Sequence, residues 1–203
     1  FSICGVSAIG AMSQIVKSKD EDTAIPVALV TLFGTLAIGV LPILWHPLGF
    51  SAIQFGHWVG ASVHDVGQVV ATAQIAGPTA LAFALIIKLT RVLALAPMVA
   101  ATSLALRLRG GVSVAGGKRP PIMPPFVAGF IGAMMARTFL PIPVALTDVA
   151  DIIQTVLLAM ALFALGAAVQ LVPLLRSGWR ALLVALMSWT LIATLAWVAV
   201  QIG

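Results

Sequence analysis

The chain has 203 residues, of which 61% are hydrophobic and only 8% charged, with a formal net charge of +5. A soluble domain is about one quarter charged, so this composition excludes a water-covered globule and makes lipid the solvent for most of the surface. The basic excess sits in short loops between apolar runs, where Lys and Arg act as topology signals, and it does not point to nucleic acid.

The chain opens at Phe1 and runs directly into a Gly/Ser-rich apolar stretch, so an N-terminal portion is expected to precede it. Residues 5–16 are apolar but shorter than the roughly 20 residues a crossing needs. They read as the second half of a broken helix, with Gly5 and Ser7 at the break. Lys17 to Asp22 is a charged loop, and 24–45 is a full span. After the turn His46-Pro-Leu-Gly49, residues 51–76 are long enough to cross but carry Gln54, His57, Ser62, His64, Asp65 and Gln68. Residues 79–106 form a long span holding Lys88 and Arg91, with a kink expected at Pro97. A basic Gly-rich loop runs from Arg107 to Arg119. Spans at 122–140, 144–169 and 181–202 complete the chain, with Asp148 and Asp151 read as acids opening a helix and a short basic turn, Arg176 to Arg180, before the last span. The single cysteine, Cys4, allows no intrachain disulfide.

Loop charge sets the orientation. Arg107, Arg109, Lys118 and Arg119 mark a cytoplasmic loop, Arg176 and Arg180 another, and Lys17 with Lys19 a third. Loops on one side are separated by an even number of crossings, and spans 24–45 and 79–106 already supply two. The polar stretch 51–76 is therefore expected to enter and leave on the same side, as a re-entrant or broken helix pair turning near Gly60-Ala61, and the C-terminus is expected outside. Irregular backbone at membrane depth is tolerated only where protein or water surrounds it. Broken helices meeting near the midplane are how secondary transporters build their sites. Gly5, Gly60 and Gly166 are the candidate breaks.

Ionisable groups inside a membrane are costly and mark a function or a structural pair. Ser62-Val-His-Asp65 fits a Ser-x-x-acid capping box with Ser62 as N-cap, which by itself accounts for Ser62 and Asp65. His64 and Gln68 are four apart and share a face on a helix. An imidazole beside a carboxylate suits a proton relay; the plainer reading is a histidine hydrogen-bonded to a neighbouring helix. Lys88 and Arg91 are three apart, with Lys88 roughly 13 Å from the outer end of its span at the helical rise, too deep for easy snorkelling. Their counter-charge is either Asp65, in a structural ion pair, or a bound anion. In the second case Arg91 is the better clamp, because its fork matches oxyanions, and Lys88 either joins it or carries a coupling charge. The two polar knots read as facing halves of one site. Ser7, Ser62, Gln68, Lys88 and Arg91 would hold substrate, and His64 with Asp65 a coupling proton or Na⁺. A channel or a structural subunit is the alternative. An intramembrane hydrolase using Ser7 or Ser62 with His64 is more remote, since no Gly-x-Ser-x-Gly elbow is present. Gly56-x-x-x-Gly60 is a weak close-packing pattern.

Cys4-Gly-Val-Ser-Ala-Ile9, Thr31-Leu-Phe-Gly-Thr35, Gly60-Ala-Ser-Val-His-Asp-Val-Gly-Gln-Val69, Lys88-Leu-Thr-Arg-Val92 with Leu95-Ala-Pro97, and Arg176-Ser-Gly-Trp-Arg180 resemble the YeiH-type family, whose name presumes sulfate export. The His-Asp and Lys-Leu-Thr-Arg motifs are the specific ones. The resemblance implies an all-α polytopic protein of the bacterial inner membrane, distantly similar to bile-acid-symporter-like and sodium/proton-antiporter-like folds. Those folds are inverted repeats with a panel and a core of crossed broken helices. It also implies several helices before Cys4, and a polar residue near Gly166, where this chain has Ala167, Ala168 and Val169. The expectation is a non-enzymatic secondary transporter of a small anion (sulfate, sulfite or an organic sulfonate) working by alternating access. Its partners would be the lipid bilayer and that anion, with self-association left open. It would need no metal and no cofactor beyond a coupling H⁺ or Na⁺.

Overall fold

The computed structural model describes residues 3–16, 18–108, 125–140, 143–167 and 179–202, and among them all regular structure is helical. In chain order the helices are α1 (Gly5–Val16), α2 (Asp20–Trp45), α3 (Ala52–Ser62), α4 (Val66–Ala73) with a 3₁₀ turn (Gln74–Ala76), α5 (Pro78–Leu93), α6 (Leu95–Leu108), α7 (Pro125–Phe139), α8 (Val144–Ala167) and α9 (Trp179–Ile202). Three segments, Asp22–Trp45, Pro78–Val99 and Trp179–Ile202, are long and apolar enough to cross a bilayer, with mean hydropathies of 2.4, 1.9 and 2.1. Large apolar side chains point outward along them: Ile43 is 74% exposed and Met187 70%. Water would penalise that surface, whereas acyl chains are its natural solvent.

Local chemistry explains where these helices start and stop. Ser51 caps α3 through a reciprocal box: Ser51 Oγ accepts from the Gln54 amide at 3.2 Å, and the Ser51 amide donates to Gln54 Oε1 at 3.0 Å. The turn before it is pinned by Trp45, whose Nε1 donates to the Phe50 carbonyl at 2.8 Å and whose ring stacks on Phe55 at 4.9 Å. Pro78 starts α5 directly after Gly77, whose φ of +94° is open to glycine at little cost. The kink expected from Pro97 coincides with a one-residue interruption of the helix at Ala94. The proline ring clashes with the carbonyl four residues back, here that of Leu93, and α5 ends at that residue. Asp148 and Asp151 do not open α8, which begins at Val144 and has no acid in its first turn. Gly166 lies inside the last turn of α8, and the residues beyond Ala167, including the expected basic turn at 176–180, fall largely outside the described ones.

Glycines set the central packing. A Cβ on Gly56 would run into the Ala80 carbonyl, and one on Gly60 into that of Ala84, so α3 and α5 lie backbone to backbone. The paired numbers rise together, which makes the two helices parallel. The chain leaving α3 therefore has to return, through α4 and the 3₁₀ turn, to the level where α3 began. α9 closes the other side of α3: Trp58 Nε1 donates to the Ala193 carbonyl at 2.9 Å, and Trp189 packs on Phe33 of α2 at 5.8 Å between ring centres. Ala185 sits with Ala28 and Phe33 while Ala196 sits with Phe55 and Trp58, so α9 runs in the same direction as α2.

Candidate functional site

The polar residues gather where two non-helical segments meet. One is Ile3–Cys4, just before α1. The other is Val63–His64–Asp65, between α3 and α4, with Val63 at φ −83°, ψ 150° and Asp65 at φ −104°, ψ 153°. They touch directly: the Gly5 amide donates to the His64 carbonyl at 3.4 Å. A Cβ on Gly5 would collide with Val30 of α2, so the glycine is what lets α1 begin here. At the helical rise Val30 is roughly 15 Å from one end of α2 and roughly 22 Å from the other. The junction thus sits near mid-depth of a spanning helix.

The chain breaks at 63–65 because Asp65 nucleates a new helix. Its Oδ2 accepts from the Gly67 amide at 2.9 Å, and its own amide donates to Gln68 Oε1 at 3.3 Å, a capping box spelled Asp-x-x-Gln. This corrects two sequence readings. Ser62 is not an N-cap but the last residue of α3, its hydroxyl donating to the Trp58 carbonyl at 2.6 Å. Gly60 is not the break either; it lies inside α3 and serves the contact with α5. His64 lies in the break rather than on α4, so it does not share a helix face with Gln68.

A break leaves carbonyls without their helical N–H partners, and those at a helix C-terminus carry partial negative charge. Here two side chains of α5 supply the missing donors. Arg91 Nη1 donates to the Gly60 carbonyl at 2.8 Å and to that of Val63 at 3.4 Å. Lys88 Nζ donates to the carbonyls of Ile3 at 2.7 Å, Val63 at 3.0 Å and His64. Lys88 is 0% exposed. An ammonium has three donors and no acceptor, so all three are committed to backbone. This corrects the assignment of Lys88 as a direct anion ligand and equally as the salt-bridge partner of Asp65. Arg91 remains partly exposed.

Gln68 is bound rather than presented. It is 1% exposed, and its Nε2 donates to the Thr31 carbonyl at 3.2 Å and to Thr35 Oγ1 at 3.4 Å. Gly34 makes room for it, since a Cβ there would overlap the amide. The amide thereby locks α4 to α2, which argues against a direct substrate contact. His64 is wholly buried at the junction and Asp65 is half-buried beside it. Ser7 lies in the first turn of α1 with its side chain exposed, and accepts from Cys4 Sγ at 3.4 Å. The structure therefore brings together Gly5, His64, Asp65, Lys88 and Arg91, links Gln68 to them through the Asp65 cap, and leaves Ser7 at the edge. Two grooves of about 390 and 400 Å³ open elsewhere. One is lined by Leu41, Trp58, Trp189 and Trp197, the other by Gln54, His57 and Ala61. Among the described residues no cluster of His, Cys, Asp or Glu is placed to hold a metal.

Sequence reasoning missed the carbonyls of Ile3 and Val63 as partners, and no residue type signals a carbonyl's role. It also passed over two capping boxes that were visible, Ser51-x-x-Gln54 and Asp65-x-x-Gln68.

Comparison with known proteins follows the same line. Residues 1–185 match the family model described as conserved hypothetical protein 698. Among curated relatives, a UPF0324 membrane protein of Corynebacterium glutamicum is 38% identical over 97% of this chain and 56% of its own length. One from Geobacter sulfurreducens is 33% identical over 99% of this chain and 62% of its own length. One from Staphylococcus epidermidis is 37% identical over 81% of this chain and 49% of its own length. The chain thus spans about half to three fifths of the length of these relatives. No solved structure matches it.

Proposed function

The chain belongs to the YeiH-type family of membrane proteins, the one described as conserved hypothetical protein 698, and from that premise we propose that it is the site-bearing part of a secondary transporter for a small anion. One observation carries the reading: the break at Val63–Asp65 between α3 and α4 meets the start of α1 near mid-depth, and the two are joined by the bond from the Gly5 amide to the His64 carbonyl. A spanning helix gains nothing in stability from such a break. Transporters use breaks to expose helix ends to a ligand. The sign of the local charge favours an anion. Lys88 and Arg91 stand against the carboxylate of Asp65 among the described residues, and α1 and α4 both begin at the junction, where helix N-termini attract negative charge. Arg91 is the residue proposed to meet the anion, because it is partly exposed and carries five donors in a planar fork. Lys88 and Gln68 are positioning residues that hold the junction. Ser7 is a further candidate donor from the first turn of α1. His64 and Asp65 are the proposed coupling pair, for a proton or Na⁺.

The protein would lie in the bacterial inner membrane, with the α3–α4 unit re-entrant and the C-terminus outside. The parallel run of α3 and α5 supports the first of these and the shared direction of α2 and α9 the second. Substrate candidates are sulfate, sulfite and organic sulfonates. Counterflow of labelled sulfate, sulfite and a sulfonate into proteoliposomes of the purified protein tests this. Saturable counterflow of at least one anion is expected, and flux that rises linearly with concentration, without counterflow, would indicate a channel instead. The hydrolase alternative is disfavoured because the Ser62 hydroxyl donates to the Trp58 carbonyl within its own helix.

A further inference from the structure

Among the described residues the ammonium of Lys88 donates to a cage of backbone oxygens. Ile3 contributes one carbonyl from the segment before α1, and Val63 and His64 contribute two from the α3–α4 break. The group is completely buried, and each of its three N–H bonds meets one acceptor. Carbonyls of unwound helix, contributed by two separate segments, are the ligand set that broken-helix carriers use to bind an alkali cation. Hard cations accept such all-oxygen surroundings without needing a side-chain ligand. At this junction the place of that ion is taken by a side chain reaching across from α5.

We infer that Lys88 is a tethered substitute for a bound alkali cation: the cage formed by Ile3, Val63 and His64 is a monovalent-cation site permanently occupied by Nζ, so Na⁺ neither binds there nor is needed to join the start of α1 to the α3–α4 break. The cage stands on geometry alone. Its consequence for coupling, that no Na⁺ is carried in this cage and any coupling ion acts at His64 and Asp65, rests on the carrier reading above. A lysine of this kind contributes the charge without the entropy cost of capturing a free ion, and it ties α5 to the start of α1 and to the α3–α4 break at once. Arg91, one turn on, does not reach the cage in its place, since its Nη1 donates to the Gly60 and Val63 carbonyls.

The test is thermal unfolding of the purified protein in detergent, in NaCl, ethylammonium chloride or choline chloride at equal ionic strength. Wild type is expected to unfold at the same temperature in ethylammonium as in choline, its cage being filled. Lys88→Ala empties the cage; it is expected to unfold several degrees lower in choline and to regain most of that loss in Na⁺ or ethylammonium, because a ligand bound only by the folded state raises its apparent stability. Lys88→Met fills the same space without charge, and is expected to be destabilised with no recovery in any salt. Stabilisation of wild type by Na⁺ or ethylammonium as large as that of Lys88→Ala overturns the inference. So does a Lys88→Ala protein that responds to choline and Na⁺ alike, or one that is recovered folded in none of the three salts. Because the readout is stability, failure to find anion counterflow would remove the carrier reading and leave this result intact.

Discussion

The junction at Val63–Asp65 and the helix α8 are both drawn from apolar sequence, and they are organised on opposite terms. At the junction the decisive groups are polar and buried: Lys88 and His64 are 0% exposed and Gln68 is 1% exposed. Along α8 the large side chains are apolar and outward, with Phe163 80% exposed and Ile152 66% exposed. In water the second region would be the costly one. In lipid the order reverses, because exposed hydrocarbon costs little there and an unpaired polar group costs several kcal/mol. Position-specific information in this chain should therefore be concentrated in its few polar groups and in the glycines that let backbones approach.

Four substitutions test that contrast, in falling order of effect. Lys88→Met leaves three buried carbonyls without their donor, and should destabilise the fold by about 3 kcal/mol or more, read as a lowered unfolding midpoint in detergent. Gly60→Val puts a branched Cβ against the Ala84 carbonyl of α5 and should cost about 1–3 kcal/mol. Gln68→Leu removes the bonds to Thr31 and to the Asp65 amide while keeping much of the volume. A loss of about 1–2 kcal/mol is expected, together with faster amide exchange at the start of α4. Phe163→Leu, on the outward face of α8, should stay within about 0.5 kcal/mol of wild type. If Phe163→Leu proved as damaging as Gly60→Val, the division between the two regions would be lost.

The helical class and the lipid solvent were legible in composition, because 61% hydrophobic and 8% charged leaves too little polar surface for water. The interruption within 51–76 was legible as an excess of polar residues. Its placement was not. Ser62-x-x-Asp65 and Asp65-x-x-Gln68 overlap, and only the second offers an N3 side chain long enough to reach back to the N-cap amide. Gly60 looked like a flexible point because a sequence does not display the Ala84 carbonyl that requires it. The partner of Lys88 was hidden for a related reason. A buried cation announces the need for counter-charge, and the only nearby acid in the sequence was Asp65. Every residue carries a carbonyl, so nothing in the residue types marks Ile3, Val63 and His64 as the three that would face Nζ. The pairing of Gln68 with Gly34 and Thr31 is likewise tertiary, although Thr31 to Thr35 already stood out as a motif.

The central claim is that Arg91, seated on the carbonyls of the α3–α4 break, meets a transported anion at the junction. Its most direct test is anion counterflow in proteoliposomes of Arg91→Ala beside wild type, with folding of both checked by their unfolding midpoints. The account predicts that the variant stays folded and loses more than about tenfold of the flux, the scale set by one charge-assisted hydrogen bond. A folded Arg91→Ala protein that carries the anion at the wild-type rate would contradict it.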